Sequence, residues 1–431
     1  MSLFLVREFG ILTTGLTSGS IDAVTIPADD YSWLKKKMLD EPDGEGKLLH
    51  LTKHNGIEAL QVKNKVGLLQ TPSGNQIEIL PKDTDISSAV VKTRHRFWKM
   101  LTTVMNIPAV TSHHANLDAH RTPLLEILIS LFLEAVQELI KRGVRSDYRR
   151  VQEEKKYLKS RLLISKQIRQ RPGKDHFFHI EHQIFSPDRP ENRLLKSTLS
   201  KVLRCTSTSR NSQLCRELLF VLADIPSSTN IKQDFNRWSK GRDLVHYRPV
   251  EPWCQLILNE LSPYAMVGEW EGISMLFPME RLFEDYVAIK LRRGLAPKHR
   301  LIAQASRKHL VNNHQGSGMF MLKPDILIEQ ASKPLTVLDT KWKLIDSSKN
   351  NTKEKYGLSQ ADLYQLFAYG MKYLGGSGEL YLVFPKHRKF QEALPPFQFD
   401  NQLTLWAIPY DLDADCLIGV DPVWLDIKLS A

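Results

Sequence analysis

The sequence has 431 residues, more than one compact core usually holds, so two or three domains are expected. Apolar residues make up 42% and charged residues 25%, ordinary globular values that exclude disordered, fibrous and repeat-built chains. Lys and Arg total 59 against 48 acids; the net charge of +11 favours a polyanionic partner through counterion release, although a basic soluble protein of any kind could carry it.

The longest apolar stretch, LLEILISLFLEAV from Leu124, contains Glu126 and Glu134 and is too short to span a bilayer. The start, MSLFLVREFGILTTG, has no basic flank and no small-residue cleavage site, so neither membrane nor secretion is expected. Cys205, Cys215, Cys254 and Cys416 form no Cys-x-x-Cys pair, which fits a reducing, cytoplasmic location.

In chain order, residues 1–92 read as a small β-rich domain. SIDAVTIPADDYSWLKKKML offers a strand, a turn that could cap a helix at Asp29 or Asp30, and a short helix. VGLLQTPSGNQIEILPKD has apolar clusters around Ser73 to Asn75, a hairpin signal. Residues 93–264 read as a helical middle. RHRFWKMLTTVM has helical spacing, and RTPLLEILISLFLEAVQELIKRG has Pro123 near its start and Gly143 past its end. The charged segment SDYRRVQEEKKYLKSRLLISKQIRQRPGKD is expected to be partly helical and solvated, and its Lys/Arg density makes it a candidate DNA-contacting region. NRLLKSTLSKVLRCTSTSRNSQLCRELLFVLADI reads as two helices around a Ser/Thr turn, and WCQLILNELSP as a short helix ended by Pro263. Residues 265–431 then read as helix, strands, helix, strand: a mixed sheet flanked by helices. The fold class expected is therefore α+β and multidomain.

The chemistry concentrates in MFMLKPDILIEQASKPLTVLDTKWKLID. MFMLKPDILIE is a strand candidate interrupted by Pro324, PLTVLDTKWKLID is a second, and KP supplies the turn. Asp339 and Lys341, two residues apart, share a strand face, with Thr340 on the other. Asp325 follows Pro324, where the ladder must open because proline donates no hydrogen bond. If the strands pair, Asp325 and Asp339 can converge on one hard cation, and two carboxylates suit Mg²⁺. Lys341 beside it could orient a water and stabilise developing charge.

This is the Pro-Asp … Asp/Glu-x-Lys pattern of a large nuclease superfamily. The triplet alone is weak, for it recurs at Glu153-Glu154-Lys155 and Asp426-Ile427-Lys428, but neither has a Pro-Asp a strand upstream. Upstream, FPMERLFEDYVAIKLRRGL is an amphipathic helix whose Glu284 could bring a third carboxylate. Downstream, SQADLYQLFAYGMKYL carries Gln365 and Tyr369 four residues apart on one face, able to meet a phosphate or the lysine. A solvated Asp339–Lys341 ion pair is the bland alternative for each part separately; the ordered set is what favours a site. His176, His179 and His182 suit no single strand face and have no evident acid partner, so no metal is expected there; His113 and His114 read as loop or cap residues.

These residues resemble the McrC family, the nuclease subunit of McrBC-type modification-dependent (5-methylcytosine) restriction systems. The likeness rests on VGLLQTPSGNQIEILPKD, on EEKKYLKSRLLISKQI with FSPDRPENRLLKSTL, on SMLFPMERLFEDYVA, and most specifically on PDILIE, VLDTKWK and YQLFAYG. By that resemblance Asp325, Asp339 and Lys341 match the catalytic triad of a PD-(D/E)xK nuclease, Asp325, Asp339 and Glu284 its metal ligands, and Gln365 and Tyr369 accessory positions. The resemblance also implies a Mg²⁺-dependent DNA endonuclease acting on modified double-stranded DNA. Its partner would be a McrB-like AAA+ GTPase hexamer whose hydrolysis the amino-terminal domain stimulates. The sequence agrees in having no Gly-x-x-x-x-Gly-Lys-Ser/Thr loop, since Gly44-Glu45-Gly46-Lys47 lacks the spacing. Arg7 and Lys82 are candidate contacts to the motor. Two alternatives compete: a non-cutting activator of the motor, and a stand-alone RecB-like nuclease. The iron–sulfur form of the latter is excluded because only Cys416 follows the core.

Overall fold

A computed structural model of the chain describes residues 2–15, 17, 20–40, 48–83, 90–106, 124–239, 241–259, 274–399 and 402–426. His113, His114, Pro123, Pro263 and residues 44–47 lie outside them. The chain divides into two compact units, Met1–Ile107 with Ser274–Ala431, and Pro108–Ile273. The first and last segments read from the sequence thus share one unit.

In the first unit the expected hairpin is present. Lys65–Gln70 runs antiparallel to Gln76–Leu80, and Gly74 takes the left-handed conformation of the tight turn (φ 82°). Leu3–Arg7 and Ser274–Pro278 flank this pair, making a four-stranded sheet. The strand just before the C-terminal helix therefore completes the N-terminal sheet. Helix Ala28–Asp40 begins before Asp29, so the two acids occupy its first turn, where the helix dipole favours them, and are not its cap. Asp30 accepts from Ser73 Oγ (2.5 Å) and Asn75 Nδ2 (2.9 Å), which ties the helix to the hairpin turn.

Helix Val90–Val104 fastens the N-terminal sheet through a buried ion pair. Arg94 Nε donates to Glu78 Oε1 at 2.7 Å and Nη2 to Oε2 at 2.6 Å, with the two side chains 8% and 0% exposed. The same helix packs Phe97 on Phe277 of that sheet (5.7 Å) and reaches the C-terminal part, where Arg96 grips the Asp413 carboxylate with two donors.

The C-terminal part of this unit is a seven-stranded mixed sheet. Its order is His299–Ala303, Ile326–Gln330, Lys333–Thr340, Gly378–Pro385, Leu403–Asp411 and Phe397–Gln398, with Cys416–Leu417 also on Leu403–Asp411. The central three strands run parallel and are apolar on both faces, as parallel sheets require. Helix Gln360–Tyr373 seals one face by packing Leu366, Tyr369 and Tyr373 into a cluster with Leu327, Val337 and Leu382. Pro324 splits the first strand candidate in two: Ser317–Leu322 pairs with Lys308–His314 as a separate hairpin, and only Ile326–Gln330 joins the large sheet. The turn before Lys333–Thr340 is made by Ala331 and Ser332, both at positive φ, as a two-residue hairpin turn demands; Lys333 and Pro334 lie inside the strand, beside an irregularity in the register.

The second unit is not purely helical. The charged segment expected to be partly helical forms the strand Asp147–Lys155, paired along its length with Phe178–Ser186, which in turn pairs with Arg161–Leu162; helix is confined there to Ile164–Ile168. The dense charge of this segment reads as a solvated helix; it belongs instead to a strand in which no residue is fully buried, so no apolar face marks its period. The two helices around the Ser/Thr turn are present as Pro190–Cys205 and Ser209–Val221. The buried Glu126 carboxylate closes that turn by accepting from Thr206 Oγ1 (2.8 Å), Ser207 Oγ (2.9 Å) and Asn211 Nδ2 (2.8 Å). No described helix is long and apolar enough to cross a membrane.

Arg94→Ala leaves the Glu78 charge buried without its guanidinium, so a loss of about 3–5 kcal/mol is expected. Denaturant unfolding of the variant beside wild type measures it.

Candidate active site

Strand register brings the two acids together. Ile326 lies opposite Leu338 in the antiparallel pair, so one step further Asp325 falls opposite Asp339, where Pro324 ends the strand. Asp325 is half-buried and its Oδ2 accepts from both the backbone N–H (2.8 Å) and the hydroxyl (2.9 Å) of Thr340. Asp339 is 1% exposed, and its Oδ2 lies 2.8 Å from Lys341 Nζ. That ion pair is its one close polar contact among the described residues; neither oxygen accepts a well-formed hydrogen bond. A buried carboxylate left this way is costly and marks a place built for something else.

The electrostatics follow from this crowding. Burial, reinforced by the Asp325 charge, pushes the Asp339 carboxyl up to about 7 despite Lys341. Burial likewise raises Asp325, against the pull of Thr340's donors. Burial pulls the Lys341 ammonium down, but Asp339 and Asp325 outweigh it, and Lys341 stays firmly protonated. Glu284, on helix Met279–Arg293, is pushed up to about 7 by burial and by Asp325, while Gln304 Nε2 donates to it.

The accessory pair is also in place. Gln365 Oε1 accepts from Lys341 Nζ at 3.3 Å, Gln365 Nε2 donates to Tyr369 Oη at 2.7 Å, and Tyr369 Oη donates to the Lys323 carbonyl at 3.0 Å. The helix therefore holds the lysine through one end of this chain and the segment before Asp325 through the other. The structure brings Asp325, Asp339, Lys341, Gln365 and Tyr369 into one neighbourhood, with Glu284 at its margin. Among the described residues no three His, Cys, Asp or Glu stand close enough to form a metal cage. The site is a carboxylate pair with a third acid outside it.

Several neighbours escaped the sequence reading. Thr340, placed on the far face by alternation, instead serves Asp325, because Asp325 lies beyond the end of its strand. Gln304 reaches Glu284 and donates its backbone N–H to the Asp325 carbonyl (2.8 Å); nothing in its local sequence announces that. Trp342, next to Lys341 and 3% exposed, packs on Phe283 (5.3 Å), the neighbour of Glu284. Its Nε1 donates to buried Glu8 Oε2 at 2.8 Å, while Lys82 Nζ donates to its carbonyl. Lys82 is thus engaged within the chain, and Arg7 pairs with Asp22.

An acid pair and an ammonium group at the mouth of a mixed sheet define a class of site suited to a cation and a phosphate. The family described as "McrBC 5-methylcytosine restriction system component" matches residues 60–385, well over half of the chain and every site residue above. The chain belongs to this family. It is 26% identical over 279 residues to the type IV methyl-directed restriction enzyme EcoKMcrBC of Escherichia coli strain K12, spanning 59% of this chain and 74% of that protein. In fold it is similar to a chain of the tetradecameric assembly of Thermococcus gammatolerans McrB AAA+ hexamers with bound McrC, with TM-score 0.67, 19% identity and 95% of each chain covered. A chain of the Thermococcus gammatolerans McrBC complex gives TM-score 0.51 and 20% identity over 72% of this chain and 90% of that one.

Trp342→Phe keeps an aromatic ring, though a smaller one, but removes the donor to Glu8, whose Oε2 then accepts from the Lys82 backbone N–H (3.2 Å) without it. A loss of about 1–3 kcal/mol is expected, measurable by urea unfolding.

Proposed function

We propose that the chain is the DNA-cleaving subunit of a McrBC-type restriction system, hydrolysing phosphodiesters at a PD-(D/E)xK site. The observation that carries this reading is the buried Asp339 carboxylate, opposite Asp325, whose one close polar contact among the described residues is Lys341.

The donor chemistry fits magnesium. All candidate ligands are carboxylate oxygens, Asp339 has free lone pairs, and two acids suffice for an ion that keeps much of its water shell. Asp325 and Asp339 would hold Mg²⁺, with Glu284 at its margin, and the bound ion would neutralise phosphate charge and acidify a water. Lys341 supplies a fixed positive charge where negative charge builds on the phosphorane oxygens, and it costs no reorganisation because Asp339 and Gln365 already aim it. Gln365 and Tyr369 keep that aim by bridging Lys341 to the Lys323 carbonyl. Thr340 orients Asp325 through two donors, leaving its other oxygen for the cation. The net charge of +11 agrees with a duplex as substrate.

The partner under this reading is a McrB-like AAA+ GTPase hexamer, as in the Thermococcus gammatolerans assembly the fold resembles. The sequence has no phosphate-binding loop of its own, which is consistent with a motor on another chain.

Asp339→Ala and Lys341→Ala are expected to lower duplex cleavage by about 100-fold or more while the stimulated GTP hydrolysis of the partner stays at the wild-type rate. Nicking and GTPase assays on the reconstituted complex, with Mg²⁺ and GTP, check both. Variants that still cut would remove the catalytic role, and a wild-type complex that hydrolyses GTP without cutting would favour the non-cutting activator. A second expectation needs no cleavage. At about 100 times its Kd, Mg²⁺ should stabilise the wild-type chain by about 2–3 kcal/mol, read as a raised unfolding temperature, and should leave Asp325→Asn unshifted.

A further inference from the structure

The hairpin Lys308–His314 and Ser317–Leu322 stands apart from the seven-stranded sheet. Residues 310–321 are all exposed, among them Leu310, Val311, Met319, Met321 and Phe320, the last 68% exposed. A lone two-stranded hairpin is marginal in water, and five neighbouring apolar side chains turned to solvent add to its burden. Phe320 also holds a left-handed backbone (φ 58°), an expensive conformation for a bulky residue.

Its root is fastened to the candidate active site on both strands. Tyr373 Oη lies 3.0 Å from the carbonyls of both Ala305 and Leu322, and Tyr369 Oη donates to the carbonyl of Lys323. Gln304, which joins Glu284 and Asp325, lies four residues before the hairpin, and Asp325 follows its end by three residues. The far end is a tight turn at Gln315 and Gly316, both at positive φ, with Asn313 Oδ1 accepting from the Gly316 N–H. A strand of this length reaches roughly 20 Å, well beyond the depth of a DNA groove, about 8.5 Å.

The charge selects the occupant. Residues 305–323 contain no Asp or Glu but carry Arg307, Lys308 and Lys323. Arg307 is paired with Glu329 (2.8 Å), whereas Lys308 and Lys323 are exposed and form no ion pair among the described residues. Basic flanks suit phosphates; Asn312, Asn313 and the apolar residues between suit base edges and stacked bases.

We propose that this hairpin is a groove-inserting arm: it enters the major groove of duplex DNA beside the phosphate presented to Asp325 and Asp339, and so holds the cleavable strand over the acids. The inference deepens the nuclease reading and rests on it. A two-stranded ribbon is one of the elements the major groove admits, and rooting it on Tyr369 and Tyr373 ties groove insertion to the helix that also holds Lys341.

The test uses the full chain with a fluorescein-labelled duplex and the same sequence as a single strand, in Ca²⁺ to prevent cutting. Wild type is expected to prefer the duplex. The triple variant Met319→Ser, Phe320→Ser, Met321→Ser should bind the duplex about tenfold more weakly with an unchanged salt slope, whereas Lys308→Ala should lower that slope by about one. Both should keep the wild-type unfolding midpoint, since none of these side chains is buried. Asp339→Asn separates the two readings: it should bind as wild type does without cutting in Mg²⁺, while the triple variant loses both. Equal binding by wild type and the triple variant, no duplex preference, or a triple variant that holds DNA normally but no longer joins its GTPase partner would each overturn the arm. Cleavage surviving in Asp339→Asn would instead overturn the nuclease reading.

Discussion

Two carboxylates forced to face one another in a buried place repel, and the unit containing them is arranged around that repulsion. Asp325 and Asp339 meet because their strands pair in one register and because Pro324 stops that pairing one residue early. Lys341 and the two Thr340 donors offset part of the like-charge cost, yet Asp339 still titrates near 7. Strain of this kind persists only when the surroundings over-determine it. Here they do: strand Lys333–Thr340 is buried to its end, and helix Gln360–Tyr373 seals the sheet beside it.

The same helix acts on three things at once. Leu366 fills the core, Gln365 aims the lysine, and Tyr369 with Tyr373 grips the root of the hairpin that projects from the site. On the opposite flank Trp342 joins the segment after Lys341 to Glu8 and Lys82 of the N-terminal sheet, and Phe283 joins it to the helix bearing Glu284. The amino-terminal strands and the C-terminal sheet consequently belong to one compact unit.

What the sequence revealed follows from how local each signal was. The Asp325, Asp339 and Lys341 arrangement was legible because proline, strand alternation and a short turn constrain it within a few residues. Gln365 and Tyr369 were legible for the same reason at helical spacing. The hairpin around Gly74 and the two helices about the Ser/Thr turn rest on turn chemistry that survives in the fold. The failures were non-local. Strand Asp147–Lys155 has no fully buried residue, so its charge density read as a solvated helix and only its distant partner Phe178–Ser186 defines it. Ser274–Pro278 joins a sheet formed two hundred residues earlier, and the pairing of Trp342 with Glu8 spans 334 positions, distances at which no pattern within a window carries information. The projecting hairpin was hidden because its strand ran on, in sequence, into the one carrying the acid.

The most direct measurement of the central claim is the anomalous scattering of crystals of the chain soaked in Mn²⁺, an ion of the same oxygen preference as Mg²⁺. A single peak bridging the carboxylates of Asp325 and Asp339, with Lys341 retained beside it, is the predicted result. Ions bound elsewhere, or those two side chains turned away from each other with no peak between them, would contradict it.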